Sequence, residues 1–398
     1  MNRREVKRAP VLRFKGFTND WEQRKFENLV SRLSKTSNNE SLPNVTYDDI
    51  KSKENSLNKD ITELTHGKKG IHFNKDDILV GKLRPYLGNI LLARFNGIAV
   101  GDFWVLSPKD NNISSFLFDL IQTSKYKYIS NLSSGSKMPR SDWNLVSKAS
   151  FWVPIQQEQN KIGKIFQLID NLVSLQQRKV KILVLLKKEI SNYYFSPSYL
   201  SRSCKENSFK EIFTVVTDYV ANGSFKSLRE NVKTNTKQGY AYMIRLQDAS
   251  NNWKGPWLYT DKSGYNFLKK SKIYPGDIVM SNVGSVGKII RIPKLSKPMT
   301  LAPNAILLRS TKYDNDFLYE LLKSDYGKNK IKRMTTPGVQ NKINKTDFKK
   351  IKVHLPNSQE QKRISCLLTN MNILIHEVKS NISQKQKLKQ FLLQNMFI

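Results

Sequence analysis

The sequence has few of the residue types that build disulfide frameworks and metal sites. Its 398 residues include 2 cysteines, Cys204 and Cys366, and 4 histidines. Two cysteines this far apart predict neither a disulfide framework nor a metal clip, and the compartment we expect is a reducing cytoplasm. No apolar run approaches the roughly 20 residues that cross a bilayer, and the basic, polar N-terminus has no signal-peptide pattern. We therefore expect no membrane partner.

Motifs of common nucleotide and methyl-donor sites are also missing. Residues 284–289 resemble part of a phosphate loop, but Asn282 stands where its first glycine belongs and Ile289 where serine or threonine belongs. The sequence has no Gly-x-Gly-x-x-Gly and no Asn/Asp-Pro-Pro-aromatic segment. His66 and His72 have no cysteine or carboxylate at ligand spacing. The sequence thus predicts no catalytic residue, no metal and no cofactor in this chain, which we expect not to be an enzyme.

Acidic residues are scarce relative to basic ones. The chain has 33 Asp and Glu against 67 Lys and Arg, a formal net charge of +34. The segments 154–195 and 354–398 carry only +4 each, so about +26 lies on the rest of the chain. An excess of this size favours a polyanionic partner, because phosphate contacts release counterions and steer encounter. A lysine-rich composition that serves only solubility is the alternative.

One stretch occurs twice. The segment that begins at Pro154 recurs at Pro356, with a constant shift of 202 residues and no gap. Each copy opens with Pro-x-x-Gln-Glu-Gln-x-[Lys/Arg]-Ile, centred on Glu158 and Glu360. Proline suits the start of a helix, where a missing N–H has no cost. An internal repeat of this kind sets the architecture of the whole chain.

Within each copy the apolar residues recur at alternating spacings of four and three. This mean spacing of 3.5, sustained over about four heptads, is typical of a coiled coil. A single stripe would indicate an ordinary buried helix face, but two copies of matched phase predict helices that pack against each other. A second apolar flank, including Leu172 and Leu374, would cover a neighbouring domain or protein. The predicted packing residues are Ile162, Phe166, Ile169, Val173, Val180, Leu183, Ile190, Ile364, Leu368, Met371, Ile375, Val378, Ile382 and Leu392.

The two remaining parts of the chain resemble each other at framework positions. Residues 76–90 and 276–289 each predict a strand, a polar turn and a returning strand, with the tip free to make contacts. Strands are predicted at 98–106 and 299–309, helices at 114–128 and 316–332, and last strands at 149–153 and 351–355. A loop precedes each last strand. The prediction is an α+β chain with domain 1 at 1–153, helix 1 at 154–200, domain 2 at 201–353 and helix 2 at 354–398.

Taken together, these motifs resemble the DNA specificity subunit of type I restriction-modification systems. The resemblance rests on the duplicated Gln-Glu-Gln helix starts, the domain-helix-domain-helix order, the Leu-Arg-Phe-x-Gly-Phe lead-in with Trp21, and the Gly-Asp-Ile-Val strand that begins at Gly276. It covers essentially the whole chain.

The resemblance implies a fold, a function and a set of partners. Each domain would be a target-recognition domain that reads one half of a bipartite DNA sequence. The two helices would pack antiparallel as a coiled-coil ruler, and their outer surface would dock two methyltransferase subunits. Those partners would bind S-adenosylmethionine and methylate adenine N6, while restriction subunits would supply the motor and nuclease that use ATP and Mg. The whole complex would act in bacterial defence.

We expect the hairpin tips and the loops before the last strands to enter the major groove. Arginine pairs bidentately with guanine and Asn or Gln with adenine, whereas lysine more often holds phosphate. The candidates in domain 1 are Lys82, Arg84, Tyr86, Lys137 and Arg140, and those in domain 2 are Asn282, Ser285, Lys288, Gln340, Asn341 and Lys342.

Two other functions remain open from the sequence alone. The chain could be a coiled-coil scaffold whose two basic modules bind RNA or another acidic partner without sequence preference. It could also be an enzyme, which would need a cluster of His, Asp, Glu or Cys that the sequence does not reveal. The DNA target and the spacer length do not follow from the sequence.

Overall fold

The chain folds as two units, and each unit contains part of both long helices. Unit 1 comprises Met1–Arg178 and Lys379–Ile398, and unit 2 comprises Lys179–Val378. The computed structural model describes residues 9–52, 54–132, 138–203, 205–338 and 340–398.

The elements of the first half of the chain are short, apart from one helix. Its strands are β1 (Glu22–Lys25), β2 (Val30–Leu33), β3 (Thr36–Ser37), β4 (Asn44–Val45), β5 (Ile50–Lys51), β6 (Ser56–Leu57), β7 (Gly70–Phe73), β8 (Ile78–Gly81), β9 (Ile90–Leu92), β10 (Gly97–Ala99), β11 (Phe103–Pro108) and β12 (Ser150–Val153). Its α-helices are α1 (Ser114–Gln122), α2 (Ser124–Ser130), α3 (Trp143–Lys148) and the long α4 (Gln156–Tyr194).

The second half repeats this plan. Its strands are β13 (Lys205–Ser208), β14 (Val215–Asp218), β15 (Thr234–Asn235), β16 (Ala241–Ile244), β17 (Tyr259–Thr260), β18 (Lys272–Ile273), β19 (Ile278–Ser281), β20 (Ile289–Arg291), β21 (Met299–Leu301), β22 (Ala305–Arg309) and β23 (Lys352–Leu355). Its α-helices are α5 (Pro197–Ser203), α6 (Phe209–Ile212), α7 (Phe225–Asn231), α8 (Leu246–Ser250), α9 (Lys262–Phe267), α10 (Asn315–Lys323), α11 (Asp325–Arg333), α12 (Lys345–Lys350) and the long α13 (Ser358–Asn395).

Each unit contains an antiparallel sheet that is buried on both faces. The order is β2-β11-β8-β9 in unit 1 and β14-β22-β19-β20 in unit 2. Successive side chains of a strand point to opposite faces. Ile78 and Val80 therefore join the core under the helices, whereas Leu79 joins the core against the second sheet. This double burial explains why the strand is a continuous apolar run.

The second sheets of the two units share three strands, β7-β10-β4 in unit 1 and β18-β21-β16 in unit 2, but differ in their additional strands. The full order is β3-β7-β10-β4 in unit 1, and β10 runs parallel to β4. In unit 2 the order is β15-β17-β16-β21-β18, and β21 runs parallel to β16. A short antiparallel pair leads into each long helix, β1 with β12 and β13 with β23. The predicted fold class, two similar mixed domains with two long helices, is confirmed.

The prediction of one strand at 98–106, and of another at 299–309, was wrong. Each segment forms two strands that belong to different sheets, β10 and β11 or β21 and β22. Between them the backbone turns through a positive φ, +103° at Gly101 and +68° at Asn304. A left-handed residue cannot continue a strand, so the chain changes sheet at this point.

The helices predicted at 114–128 and 316–332 are also interrupted. Thr123 and Ser324 adopt an extended backbone and end α1 and α10. The Thr123 hydroxyl then accepts a hydrogen bond from Tyr126 N at 3.4 Å, and the Ser324 hydroxyl accepts one from Gly327 N at 3.1 Å. Each hydroxyl caps the next helix, as serine and threonine commonly do.

In each unit the long helices run antiparallel. In unit 1 the rings of Phe166 and Phe397 lie 6.0 Å apart, and one turn further along α4 Lys389 pairs with Asp170 at 2.7 Å. In unit 2 the end of α4 shares a core with the start of α13, through Phe195, Ile364 and Leu368. Each unit thus uses the beginning of one long helix and the end of the other.

The predicted packing stripe lies away from solvent. Its buried members are Ile162, Phe166, Ile169, Ile364, Leu368, Met371, Ile375, Val378 and Leu392, and its half-buried members are Val173, Val180, Leu183, Ile190 and Ile382. Beside this stripe several apolar side chains are exposed, among them Leu172 and Leu374.

The repeated Gln-Glu-Gln motif holds the start of each helix in place. Its last glutamine makes the same contacts in both units. Gln159 donates to Pro154 O at 3.0 Å and accepts from Ile113 N at 3.0 Å. Gln361 donates to Pro356 O at 2.8 Å and accepts from Asp314 N at 3.3 Å. The glutamine thereby ties the long helix to the loop before α1 or α10.

The glutamate of the motif has different partners in the two units. Glu158 is fully buried and forms a bidentate ion pair with Arg13. Arg13 Nε donates to Glu158 Oε1 at 2.7 Å, and Arg13 Nη2 donates to Glu158 Oε2 at 2.8 Å. Glu360 accepts a hydrogen bond from the Tyr199 hydroxyl at 2.6 Å. In unit 1, Leu12 N also donates to Asn395 O at 2.8 Å, so the lead-in joins both long helices.

A lysine meets a carboxylate at equivalent positions of both units, with different geometry. In unit 2, Lys187 lies 3.0 Å from Glu320 of α10, which also accepts from Asn372 at 3.0 Å. In unit 1, Lys389 pairs instead with Asp170. The α1 residue that corresponds to Glu320 is Asp119, which is one methylene shorter and 2% exposed. Burial raises the pKa of Asp119 well above its usual range; nearby Lys389 opposes this shift and Asp170 adds to it.

The substitution Asp119→Asn should therefore stabilise unit 1 at neutral pH. Because the folded pKa is raised, the native state binds more protons than the unfolded state above pH 4, and stability falls as pH rises towards the folded pKa. An amide removes this cost of about 1 kcal/mol and should raise the melting temperature by about 2–4 °C. Thermal unfolding measured from pH 4 upwards should show a difference in melting temperature between variant and wild type that widens with pH and then levels off above the folded pKa. A difference that narrows as the pH rises would contradict this account.

Candidate nucleic-acid interface

In unit 1 the hairpin tip and the loop before α3 join through the backbone. Leu83 and Arg140 form an isolated antiparallel bridge. Arg84 N donates to Pro139 O at 2.8 Å, and Ser141 N donates to Lys82 O at 2.8 Å. Two segments predicted separately, more than 50 residues apart in sequence, therefore form one surface.

Unit 2 repeats this bridge almost atom for atom. Val283 pairs with Lys342. Gly284 N donates to Asn341 O at 3.0 Å, and Ile343 N donates to Asn282 O at 3.1 Å. We call these two surfaces the loop bridges, residues 82–88 with 138–141 in unit 1 and residues 282–288 with 340–343 in unit 2.

Most of the candidate side chains on the unit 1 loop bridge are exposed. Arg140 is 59% exposed at its side chain, Tyr86 is 56% exposed, and Arg84 is also exposed. Lys82 is half-buried. The predicted contact Lys137 lies outside the described residues.

Arg84 occupies a backbone conformation that normally favours glycine. Its φ is +49°, and its counterpart in unit 2, Gly284, has a φ of +73°. A side chain in this region costs about 1–2 kcal/mol. Strained residues of this kind cluster at functional sites, which makes Arg84 a candidate contact.

The unit 2 loop bridge presents amides in place of arginines. Gln340, Asn341 and Lys342 are exposed, and Lys342 also exchanges two backbone hydrogen bonds with Thr336, at 2.9 and 3.1 Å. Asn282 is half-buried, and its amide oxygen lacks a hydrogen-bond partner among the described residues.

Two further candidates lie on the tip between β19 and β20. Ser285 is exposed, and its carbonyl accepts a hydrogen bond from the Ser281 hydroxyl. Lys288 is exposed and donates to the Ser250 hydroxyl at 2.7 Å.

Two residues of the unit 1 surface were not predicted from the sequence. Asp102 faces Arg140 at 2.9 Å and Lys82 at 3.5 Å. The Tyr47 hydroxyl donates to Asp102 O at 2.5 Å and accepts from Leu83 N at 3.1 Å. Burial raises the pKa of Tyr47 to about 12, so the phenol keeps its proton and can donate. The signal that sequence reasoning overlooked is the Gly101-Asp102 pair, a turn that was assigned to a strand.

The described residues contain no group of three or more His, Cys, Asp and Glu side chains that could hold a metal ion. No helix among them combines the length and apolar character needed to cross a membrane.

A family model for the type I restriction modification DNA specificity domain matches the chain twice, at residues 18–186 and 208–386. This chain belongs to that family. It is a specificity subunit, a component that recognises DNA sequence for its complex and catalyses no step itself, as the sequence predicted.

Curated relatives agree with this assignment. The chain is 23% identical over 342 residues to the type I restriction enzyme MjaVIII specificity subunit of Methanocaldococcus jannaschii, covering 81% of this chain and 78% of the relative. It is 26% identical to the putative type I restriction enzyme MjaX specificity subunit of the same organism, covering 80% and 74%.

A solved structure shares the fold of this specificity subunit. The S subunit of a type I restriction-modification system from M. genitalium matches with a TM-score of 0.61 at 16% identity, covering 98% of this chain and 99% of that one.

Proposed function

We propose that the two units read the two halves of a bipartite double-stranded DNA sequence, each through its loop bridge. The observation that carries this proposal is the repetition of one backbone framework with different side chains. The bridge hydrogen bonds are the same in both units, but the framework holds Lys82, Arg84 and Arg140 in one and Asn282, Asn341 and Lys342 in the other. A shared scaffold with divergent contacts suits two different half-sites.

The chemistry of these side chains suits the major groove. Arginine recognises guanine through O6 and N7, and asparagine or glutamine recognises adenine through N6 and N7. Lysines near the bridge would hold the phosphate backbone, which accounts for much of the affinity of DNA-binding proteins. In unit 2, the basic helix α11 precedes the loop bridge in the chain; it carries Lys328, Lys330, Lys332 and Arg333.

The long helices present apolar surface that suits protein partners. Exposed leucines recur at repeat-related positions, Leu172 with Leu374 and Leu186 with Leu388. Exposed apolar side chains that share one helix face form a patch, and large exposed apolar patches mark protein interaction sites. We propose that these faces bind two methyltransferase subunits and that the helices fix the gap between the half-sites.

The partner subunits would supply the chemistry. The methyltransferase subunits would use S-adenosylmethionine to methylate adenine N6, and restriction subunits with ATP and Mg would cleave unmethylated DNA. We place this complex in the cytoplasm, where its DNA substrate enters the cell.

The test is to express this chain with its cognate methyltransferase subunit in a host that lacks DNA methylation, and to sequence N6-methyladenine on single molecules. We expect a bipartite motif with a fixed gap, methylated only when both proteins are present. The methyltransferase subunit expressed alone is the control. If both proteins were soluble and co-purified but no motif were methylated, the proposal would fail. That result would favour the alternative of a coiled-coil scaffold whose two basic modules bind RNA or another acidic partner.

A further inference from the structure

One carboxylate lies within the basic surface of the unit 1 loop bridge. Asp102 Oδ2 is 2.9 Å from Arg140 Nη2, and its Oδ1 is 3.5 Å from Lys82 Nζ. The Asp102 side chain is 29% exposed, whereas that of Arg140 is 59% exposed. The carboxylate thus lies beneath the guanidinium, which reaches further into solvent.

The backbone carbonyl of Asp102 already anchors the fold at this point. Asp102 O accepts hydrogen bonds from Lys82 N at 2.9 Å and from the Tyr47 hydroxyl at 2.5 Å. These hydrogen bonds to the backbone carbonyl hold the hairpin tip against the start of β11 whatever side chain residue 102 carries. The carboxylate therefore needs another explanation, particularly because an acid beside DNA repels phosphate.

The geometry of the ion pair supplies that explanation. A free arginine side chain has many rotamers, and ordering it on binding costs free energy. The contact with Asp102 uses one terminal nitrogen, while a guanidinium has five N–H donors in a rigid fork. An arginine whose one edge is fixed by a carboxylate can offer another edge to O6 and N7 of guanine.

We propose that Asp102 is a positioning residue for sequence recognition: it fixes the Arg140 guanidinium so that unit 1 reads a guanine in its half-site. This inference rests on the function proposed above. Asp102 itself contacts no base. By holding Arg140 and Lys82 it also keeps both cations from binding phosphate indiscriminately, which sharpens discrimination at some expense in overall affinity.

The corresponding position in unit 2 is an amide. Asn304 occupies the same turn, and its carbonyl accepts a hydrogen bond from Asn282 N at 3.4 Å. An amide lacks the charge needed to hold a cation, and Lys342 stands where Arg140 stands in unit 1. Unit 2 therefore has no ion pair that corresponds to Asp102 with Arg140. On this proposal, unit 2 reads a different base at the corresponding position of its own half-site.

The test uses the full chain in complex with its methyltransferase subunit and a randomised duplex library, from which bound sequences are recovered. Asp102→Asn should relax the preference at one position by roughly tenfold, and Arg140→Ala should relax the same position. In the Arg140→Ala background, Asp102→Asn should change the preference no further, because the two residues act as one unit. Affinity for random-sequence duplex should rise roughly twofold in Asp102→Asn, since one negative charge is lost.

A matched control lies at the other end of β11. Asp110 also pairs with an arginine, Arg24, at 3.3 Å. The substitution Asp110→Asn removes the same charge, and we expect it to leave the base preference unchanged. If Asp102→Asn lowered the melting temperature, Arg140→Lys would serve as the test variant in its place. Lysine keeps the positive charge but lacks the forked set of N–H donors of a guanidinium. Arg140→Lys should relax the same position.

Other outcomes would overturn the proposal. A change in affinity for all sequences alike, with the base preference unchanged, would mean that Asp102 only screens charge. Relaxation of a position different from that of Arg140→Ala would mean that Asp102 reads a base itself. If Arg140→Lys were used and left the preference intact, the guanidinium fork would not matter. A wild-type complex with no sequence preference would instead refute the proposed function.

Discussion

The double substitution Arg84→Ala and Arg140→Ala should lower affinity for the specific DNA site by about 100-fold or more. Each bidentate arginine contact with a base discriminates by about 1–3 kcal/mol, and contributions from separate positions add. The loss should be confined to the half-site that unit 1 reads. Binding to random-sequence DNA should fall far less, because only two of many positive charges are removed.

Binding titrations with specific and scrambled duplexes at one salt concentration measure this effect. Arg94→Ala is the control. Arg94 is an exposed arginine that follows the last residue of β9, at the end of the hairpin away from the tip, where it pairs with Asp76 at 3.4 Å. It removes one positive charge from the same hairpin, away from the loop bridge. If the double variant kept both its affinity and its choice of site, the reading surface of unit 1 would have been misplaced.

The substitution Leu172→Glu should abolish stable assembly with the methyltransferase subunit. Leu168, Leu172 and Leu175 follow one another at spacings of four and three, so they share one face of α4, and their exposures are 54%, 47% and 64%. A carboxylate buried at the centre of an apolar interface would lose its hydration without a partner. We expect the dissociation constant to rise at least about 30-fold, the effect of losing an interface hot spot.

Co-purification and a titration by calorimetry would measure this loss. Ser174→Glu places the same charge two residues along, about 200° around the helix, and should leave assembly intact. Because Leu172 is exposed in the chain itself, the melting temperature of Leu172→Glu should stay close to that of the wild type. Unchanged assembly would show that the partner binds elsewhere.

The large elements of this fold follow from periodic patterns in the sequence. Apolar residues such as Ile162 and Phe166 at alternating spacings require a long helix, and the 202-residue repeat requires a second one. The apolar strand around Leu79 was equally clear, since it is buried on both faces. Patterns of this kind reflect burial along a whole element. They can therefore be recognised in the sequence without knowing which elements pack against the buried side chains.

Breaks within elements did not follow from the sequence. Thr123 and Ser324 interrupt helices although neither residue is a strong helix breaker, because their hydroxyls can cap the next helix once the chain has turned. The strand break at Asn304 depends on a left-handed residue that asparagine tolerates. Local propensity allows either conformation in such cases, and tertiary packing decides.

The candidate interface was foreseen only in part. The exposed tips carry the basic and amide residues that were expected there, but the bridge between Leu83 and Arg140 joins segments far apart in the chain. A single sequence contains no signal for such a pairing. The same holds for Asp102 and Asp119, whose roles depend on which cation the fold brings within reach.

The most direct test of the account is to compare DNA motifs recovered by two variants of the full complex. One variant carries Arg84→Ala with Arg140→Ala on the unit 1 loop bridge, and the other carries Asn341→Ala with Lys342→Ala on the unit 2 loop bridge. We predict that each variant relaxes one half of the bipartite motif, that the two halves differ, and that the gap stays unchanged. Variants that altered the same half, or left both halves intact, would contradict the claim that each unit reads its own half-site through its loop bridge.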